Sequence, residues 1–412
     1  MSNRSLQERK NKAFARGQGT ITPVFIEKAL NAELWDVDGN RYIDLGSGIA
    51  VVNTGHNHPK VQAAVQAQLK KFSHTCLTVT PYACAVELAE KLNTIAPGTT
   101  PKKTILVTTG AEAVENCIKI ARSYTGRTGI IAFNGSFHGR TNLAMGLTGR
   151  VAPYKTGFGP FPGEIYHVPY PNTYHNILVE ESLKAISTLF AVETEPERVA
   201  AIIIEPVQGE GGFYQAPVGF LQALRGLCDQ HGILLILDEV QCGMGRTGKL
   251  FAHEWAGITP DIMMVAKGLG GGFPIGALLA TENAARCMTA GSHGSTYGGN
   301  PLGAAVGLAV MDIVAEPEFL AEVSRKSGLL RQNLEGLVAA HPDVFEDVRG
   351  TGLMLGLKCR IGNLDLINAG YGQQILTLPA AENVVRLLPP LNIRDDDIAE
   401  ALKRLDAAAS SL

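Results

Sequence analysis

Apolar residues in the middle of the chain come in short unbroken runs, separated by amphipathic stretches. Ile105-Leu106-Val107 leads through Thr108-Thr109-Gly110-Ala111 into a segment whose Val114, Cys117, Ile118 and Ala121 keep i, i+3, i+4, i+7 spacing, the pattern of a helix with one apolar face. Ile130-Ile131-Ala132-Phe133, Ala201-Ile202-Ile203-Ile204, Ile233 to Leu237 and Ile262 to Ala266 continue the series. Strands that are apolar at every position require a sheet covered on both faces. The alternation therefore predicts an α/β fold, with a large domain over residues 56–304 built on a mostly parallel sheet with helices on both faces. Near the N-terminus an extended stretch from Ala32 to Leu45 turns at Asp38-Gly39-Asn40. The C-terminal part combines helical periodicity from Phe319 to Ala340 with short strands at Leu353 to Lys358 and Val384 to Leu388. Residues 1–55 and 305–412 are predicted to pack together as a smaller α+β domain.

Composition narrows the function. With 412 residues the chain exceeds one small core, and 45% hydrophobic against 18% charged residues describes a globular protein. A formal charge of −3 gives no basic footprint for nucleic acid or an anionic membrane, so small-molecule chemistry is expected. The N-terminus is polar without an apolar signal core, and no stretch reaches the ~18 apolar residues of a membrane helix. A soluble cytoplasmic protein is expected. The seven cysteines occur singly, mostly in apolar surroundings as at Cys117, Cys228 and Cys287, and read as reduced packing residues. The histidines lack metal-ligand spacing; His56 and His58 read as loop residues, and no metal site is expected.

Candidate chemistry gathers where the strand runs end, the edge at which open α/β sheets bind ligands. Lys267 stands between Ile262-Met263-Met264-Val265-Ala266 and the glycine-rich Gly268-Leu269-Gly270-Gly271-Gly272. Desolvation there disfavours the charged amine and frees it to attack carbonyls. Asp238 ends the run that starts at Ile233. Gly110 and Ala111 open a helix whose unpaired N–H groups suit a phosphate. The loop Asn134 to Arg140 presents Phe137, His138 and Arg140, and the turn Glu205 to Gly212 carries Glu205 and Glu210. An amine, a carboxylate for a ring nitrogen, a flat aromatic and a phosphate cradle are the parts that pyridoxal 5′-phosphate needs. The glycines after Lys267 do not make a dinucleotide site, because they lack the early βαβ placement and the ribose-binding acidic residue.

With Asp238-Glu239-Val240-Gln241 followed by Lys267 at this spacing, the chain resembles a fold-type I, class III (ω-amino acid) pyridoxal-phosphate aminotransferase over nearly its whole length. The resemblance implies that Lys267 is the Schiff-base lysine and that Asp238 keeps the pyridine nitrogen protonated. It implies Val240 beneath the ring, Gln241 near its phenolic oxygen and Phe137 stacked on the other face. Gly110 and Ala111 match the phosphate turn, and Thr296 a residue that reaches the phosphate of the neighbouring subunit, which implies a homodimer or a dimer of dimers. Arg140 resembles the arginine for the donor's distal carboxylate, Arg386 the one for the α-carboxylate of glutamate or 2-oxoglutarate. Glu210 resembles the switch that pairs with Arg386 and moves aside for a dicarboxylate. Glu205 matches a glutamate near the ring, Ile49 a residue lining the donor pocket, and His138 is expected to be a packing or supporting residue.

The two halves resemble different subfamilies. His74-Thr75-Cys76, Phe137 to Pro160 and Ile203 to Tyr214 look like 4-aminobutyrate aminotransferases. Leu235 to Leu250, His253 to Pro274, Arg349 to Lys358 and Asn383 to Ile393 look like N-acetylornithine aminotransferases. The donor-side residues Ile49, Arg140 and Glu210 lie in the first half, so 4-aminobutyrate is the expected donor and 2-oxoglutarate the acceptor. N-acetylornithine is the alternative donor, and a non-catalytic pyridoxal-phosphate binder the alternative of another class.

Overall fold

The computed structural model describes residues 1–412. Its largest sheet has seven strands in the spatial order Lys102–Val107, Gly276–Thr281, Ile262–Val265, Leu234–Asp238, Val199–Ile204, Gly129–Phe133 and Ile165–Val168. Only Gly276–Thr281 runs antiparallel to its two neighbours. The pleat sends alternate side chains of each apolar run into different cores. Ile130, Ala132, Ile203 and Ile236 pack with the helix Gly110–Thr125 on one face. Ile131, Phe133, Ile202, Ile204, Leu235 and Leu237 pack with the helices Val179–Val192 and Val218–His231 on the other. This division is the physical reason that the runs have no polar positions. The α/β fold with helices on both faces is thus as expected.

Two strands escaped the apolar-run criterion. Gly276-Ala277-Leu278-Leu279-Ala280-Thr281 contains no Val, Ile or aromatic residue, and its composition favours a helix over a strand. Ile165–Val168 is a short edge strand, buried only at its last residue.

The chain's two ends meet in a four-stranded sheet, where Ile375–Leu376 pairs in parallel with Arg41–Asp44 beside Glu33–Asp36 and Ile26–Leu30. A core cluster joins Ala32, Ile43 and Leu45 to residues from Val323 to Ala409. The helix Pro301–Val314 spans residue 304, and its Val306 and Val310 pack with Leu88 and Leu269. A fully buried guanidinium, that of Arg246, fastens these regions. It donates to the carbonyls of Leu353 and Pro389 and, at 2.6 Å, to Asn53 Oδ1. No helix is long and apolar enough to cross a membrane.

Arg41 grips Glu400 through two bonds of 2.8 and 2.9 Å, holding the C-terminal helix Asp395–Ser410 against the N-terminal sheet. The Arg41 hydrogen bonds lower the Glu400 carboxyl from the ordinary 4.5 to about 2. A depressed carboxyl stabilises the fold above its unfolded pKa and loses that contribution as pH falls through the folded one. Glu400→Gln is therefore expected to lower the Tm at neutral pH, and the gap to the parent protein should close between pH 4.5 and about 2. A gap that stays constant on acidification would mean that the pair contributes nothing electrostatic.

Candidate active site

A cavity of about 450 Å³ opens at the carboxyl ends of the parallel strands. Gly110, Ala111, Phe137, Glu205, Glu210, Asp238, Val240, Gln241 and Lys267 all line it. Strand ends put them there: Phe133, Ile204, Asp238 and Val265 close four neighbouring strands, Val107 closes a fifth beyond the antiparallel one, and the following turns converge.

Asp238, only 5% exposed, is aimed from both of its oxygens. Oδ2 meets His138 Nδ1 at 2.8 Å, and Oδ1 accepts the Val240 N–H at 3.1 Å. His138 thus supports the central carboxylate, and its own Nε2 is buried without a partner. Glu205 lines the same cavity and joins two turns: its oxygens accept the N–H of Phe137 at 2.9 Å and of Gly209 at 3.2 Å. Burial pushes this carboxyl up, with Asp238 adding to the rise and His138 opposing it.

Lys267 follows the strand Ile262–Val265 at a positive φ of 39°, which turns the chain sharply at the cavity. The next residue must be glycine, because a Cβ on Gly268 would lie 2.4 Å from Asn53 Nδ2. Burial lowers the Lys267 amine below the ordinary lysine range; Arg386 pushes the same way, while Glu210, Asp238 and Glu205 oppose. All four act through charge rather than through a hydrogen bond to the amine.

Two lining residues, Glu210 and Phe137, lead to a linked set of rings and charges, of which Tyr154, Arg140 and Arg386 lie beyond the cavity lining. Glu210 pairs with Arg386 and also accepts from the Tyr154 hydroxyl at 3.1 Å. Burial alone would raise the Glu210 carboxyl, but the Arg386 guanidinium outweighs it and holds the group low. The Tyr154 ring lies 5.0 Å from that of Phe137, tilted by 53°, and the exposed Arg140 lies 4.7 Å from the centre of the Tyr154 ring. Arg140 meets rings there and forms no ion pair with a carboxylate. Tyr154 was not singled out from the sequence: it sits in a loop with no periodic signal, and only the fold brings its hydroxyl to Glu210. Ile49 is 36% exposed with a φ of 68°, and its neighbour Val51 lines the cavity instead. Thr296 is exposed and outside the cavity.

The site fits pyridoxal 5′-phosphate on local grounds. Gln241 Oε1 is buried with no partner, an acceptor that waits for a donor. The helix from Gly110 to Thr125 presents its unpaired first N–H groups to the cavity, with Thr109 as its cap. A Cβ at Gly110 would press to 3.0 Å from the Val240 side chain, so glycine lets the turn pack closely against Val240.

The chain is similar to known proteins over nearly its whole length. The family described as aminotransferase class-III matches residues 13–409. The chain is 50% identical over 407 residues to the acetylornithine aminotransferase of Rhodobacter capsulatus, covering 97% of this chain and 95% of that protein. It is 44% identical over 414 residues to the 4-aminobutyrate aminotransferase GabT of Escherichia coli, covering 98% and 97%. Similarity to the 5-aminovalerate aminotransferase DavT of Pseudomonas aeruginosa is 45% over 413 residues, covering 97% of each. Among solved structures, an (S)-enantioselective ω-transaminase from Thermomicrobium roseum superposes with a TM-score of 0.92 at 29% identity, over 100% of this chain and 99% of that one. The fold, the cavity and these relatives together place the chain in the class-III aminotransferases, the pyridoxal-phosphate-dependent transaminases.

Proposed function

We propose that this transaminase moves the terminal amino group of an ω-amino acid, with 4-aminobutyrate preferred, to 2-oxoglutarate, giving an aldehyde and glutamate in two half-reactions. The observation that carries this reading is the contrast between two guanidinium groups. Arg386 is neutralised by Glu210, whereas the exposed Arg140 has no carboxylate partner. A donor whose single carboxylate is far from its amine is served by Arg140 alone. A dicarboxylate acceptor needs the second fork, which becomes free when Glu210 leaves Arg386. Around Arg140 the walls are the Phe137 and Tyr154 rings, and the Tyr154 hydroxyl is already committed to Glu210.

In this reading the N–H groups of Gly110 and Ala111 would hold the cofactor phosphate, Asp238 its ring nitrogen, Val240 and Phe137 its two faces, Gln241 its ring oxygen and Lys267 its carbonyl carbon. When bound, the cofactor supplies an electron sink that makes the carbon bearing the amine acidic. Lys267 takes that proton as a base and returns it as an acid, a task suited to an amine held below its ordinary range. His138 and the Val240 N–H keep Asp238 aimed, and Glu205 fixes the turn that carries Phe137. The exposure of Thr296 supports its assignment to the site of a neighbouring subunit in a homodimer or a dimer of dimers. The aldehyde and amine chemistry belongs to a soluble cytoplasmic enzyme on this reading.

N-acetylornithine is the second reading, favoured by the 50% identity to the Rhodobacter capsulatus protein. Single-turnover absorbance of the cofactor-loaded protein separates them. Mixed separately with 4-aminobutyrate, 5-aminovalerate and N-acetylornithine, the protein is expected to convert fastest with 4-aminobutyrate. Conversion about tenfold faster with N-acetylornithine would overturn the donor assignment, a preference worth about 1.4 kcal/mol in the barrier.

A further inference from the structure

A second cavity, of about 420 Å³, lies between the segment 171–180, the strand Tyr214–Gln215 and the strand Phe345–Thr351. It shares no lining residue with the site above. Its size falls in the range of small-molecule sites, about 300–1,000 Å³. Arg349 stands on its wall, 5% exposed. Nη1 donates to the Tyr214 hydroxyl at 2.8 Å, and the guanidinium carbon lies 3.7 Å from the centre of the Tyr174 ring. Nε is buried with no partner, and no carboxylate pairs with the group. The molecule's other deeply buried guanidiniums, Arg386 and Arg246, also leave Nε without a partner, but their terminal nitrogens are met by a glutamate and by three oxygens respectively, where Arg349 has a single hydroxyl.

A buried charge held by one neutral hydroxyl and a ring face is incompletely compensated. Its free edge, Nε with Nη2, is the fork that takes a carboxylate through two parallel bonds. Tyr174, Ile177 and Phe213 supply apolar surface on the same cavity. Of the other charges here, Arg331 is tied to Glu335 and to the Gly350 carbonyl, and Glu180 sits exposed at the rim. The geometry points to this cavity as a binding site for a small carboxylate with a flat or apolar body, clamped by Arg349. Phe213 and Tyr214 continue the turn Gly209–Gly212 that carries Glu210. On the reading of Glu210 given above, an occupant braces the segment that carries Glu210 and from which it must swing away from Arg386.

The test measures binding, not turnover. Benzoate is titrated calorimetrically into cofactor-loaded protein carrying Arg140→Gln and Arg386→Gln, which removes both carboxylate forks of the active site. One site per chain is expected, weakened at least tenfold by Arg349→Gln. Leu178→Glu puts a repelling charge on the cavity at a position 54% exposed, where folding is undisturbed, and should weaken binding similarly. Absence of benzoate binding, or binding that survives both Arg349→Gln and Leu178→Glu, overturns the assignment. Because the two active-site arginines are absent throughout, failure here leaves the transaminase reading untouched, and failure of that reading leaves this site standing.

Discussion

Lys267→Ala is expected to fold normally and to lose at least about 10³-fold in turnover, within the range that a positioned acid–base group supplies. The fold tolerates the change because the neighbours of the amine act on it only through charge, so its removal orphans no hydrogen-bonding partner. Removing a buried amine also relieves a desolvation cost. The positive φ of 39° at this position strains alanine no more than lysine. Turnover fails because the remaining groups of the cavity are poor substitutes: Asp238 is committed to His138, and Glu205 to two backbone N–H groups. Rates of glutamate formation, a thermal melt and the visible absorbance of the loaded protein check the three parts. An unchanged melt with lost absorbance and lost turnover is the expected result. Partial rescue by added methylamine would identify the missing function as the amine itself. Retention of more than about a tenth of the parent rate would remove Lys267 from the reaction.

Arg386→Gln is expected to split the two half-reactions. Truncating one partner of a buried charge pair costs about 2–5 kcal/mol, so the 2-oxoglutarate half-reaction should slow about 30- to 1,000-fold or more. The 4-aminobutyrate half-reaction should change less than about tenfold, because Arg140 rather than Arg386 meets that donor in the proposed reading. A second signature follows from Glu210. Arg386 holds its carboxyl low against a burial effect that would raise it. Without the guanidinium, burial prevails and Glu210 takes up a proton at higher pH than in the parent, so the variant's donor half-reaction should gain a pH dependence that the parent lacks. Equal losses in both half-reactions would make the Glu210–Arg386 pair a structural tie.

Sequence and structure agree where a local signal exists. The strands ending at Phe133, Ile204 and Asp238 were legible because burial on both faces forces apolar residues along the run. Lys267 and Asp238 were legible because each polar residue ends such a run. The strand Gly276–Thr281 was not, since antiparallel insertion between two strands makes no demand for β-branched residues that Ala and Leu cannot meet. The bond from His138 to Asp238 spans 100 residues, and nothing local to His138 announces it. Tyr154 and Arg349 share this property. Each is defined by a partner that only the packed chain supplies, Glu210 in one case and Tyr214 in the other.

The Arg246 bonds bear on how substrates come and go. One guanidinium on the loop after the Asp238 strand is answered by Asn53 near one end of the chain and by Leu353 and Pro389 near the other. Parting the terminal lobe from the sheet would strip all three acceptors from the guanidinium at once. A clamshell motion at that seam is therefore the expensive route. On the proposed reading, entry and exit fall to the swing of Glu210 away from Arg386 and to the rotamers of the exposed Arg140, so that the gate between the two substrates is a single ion pair.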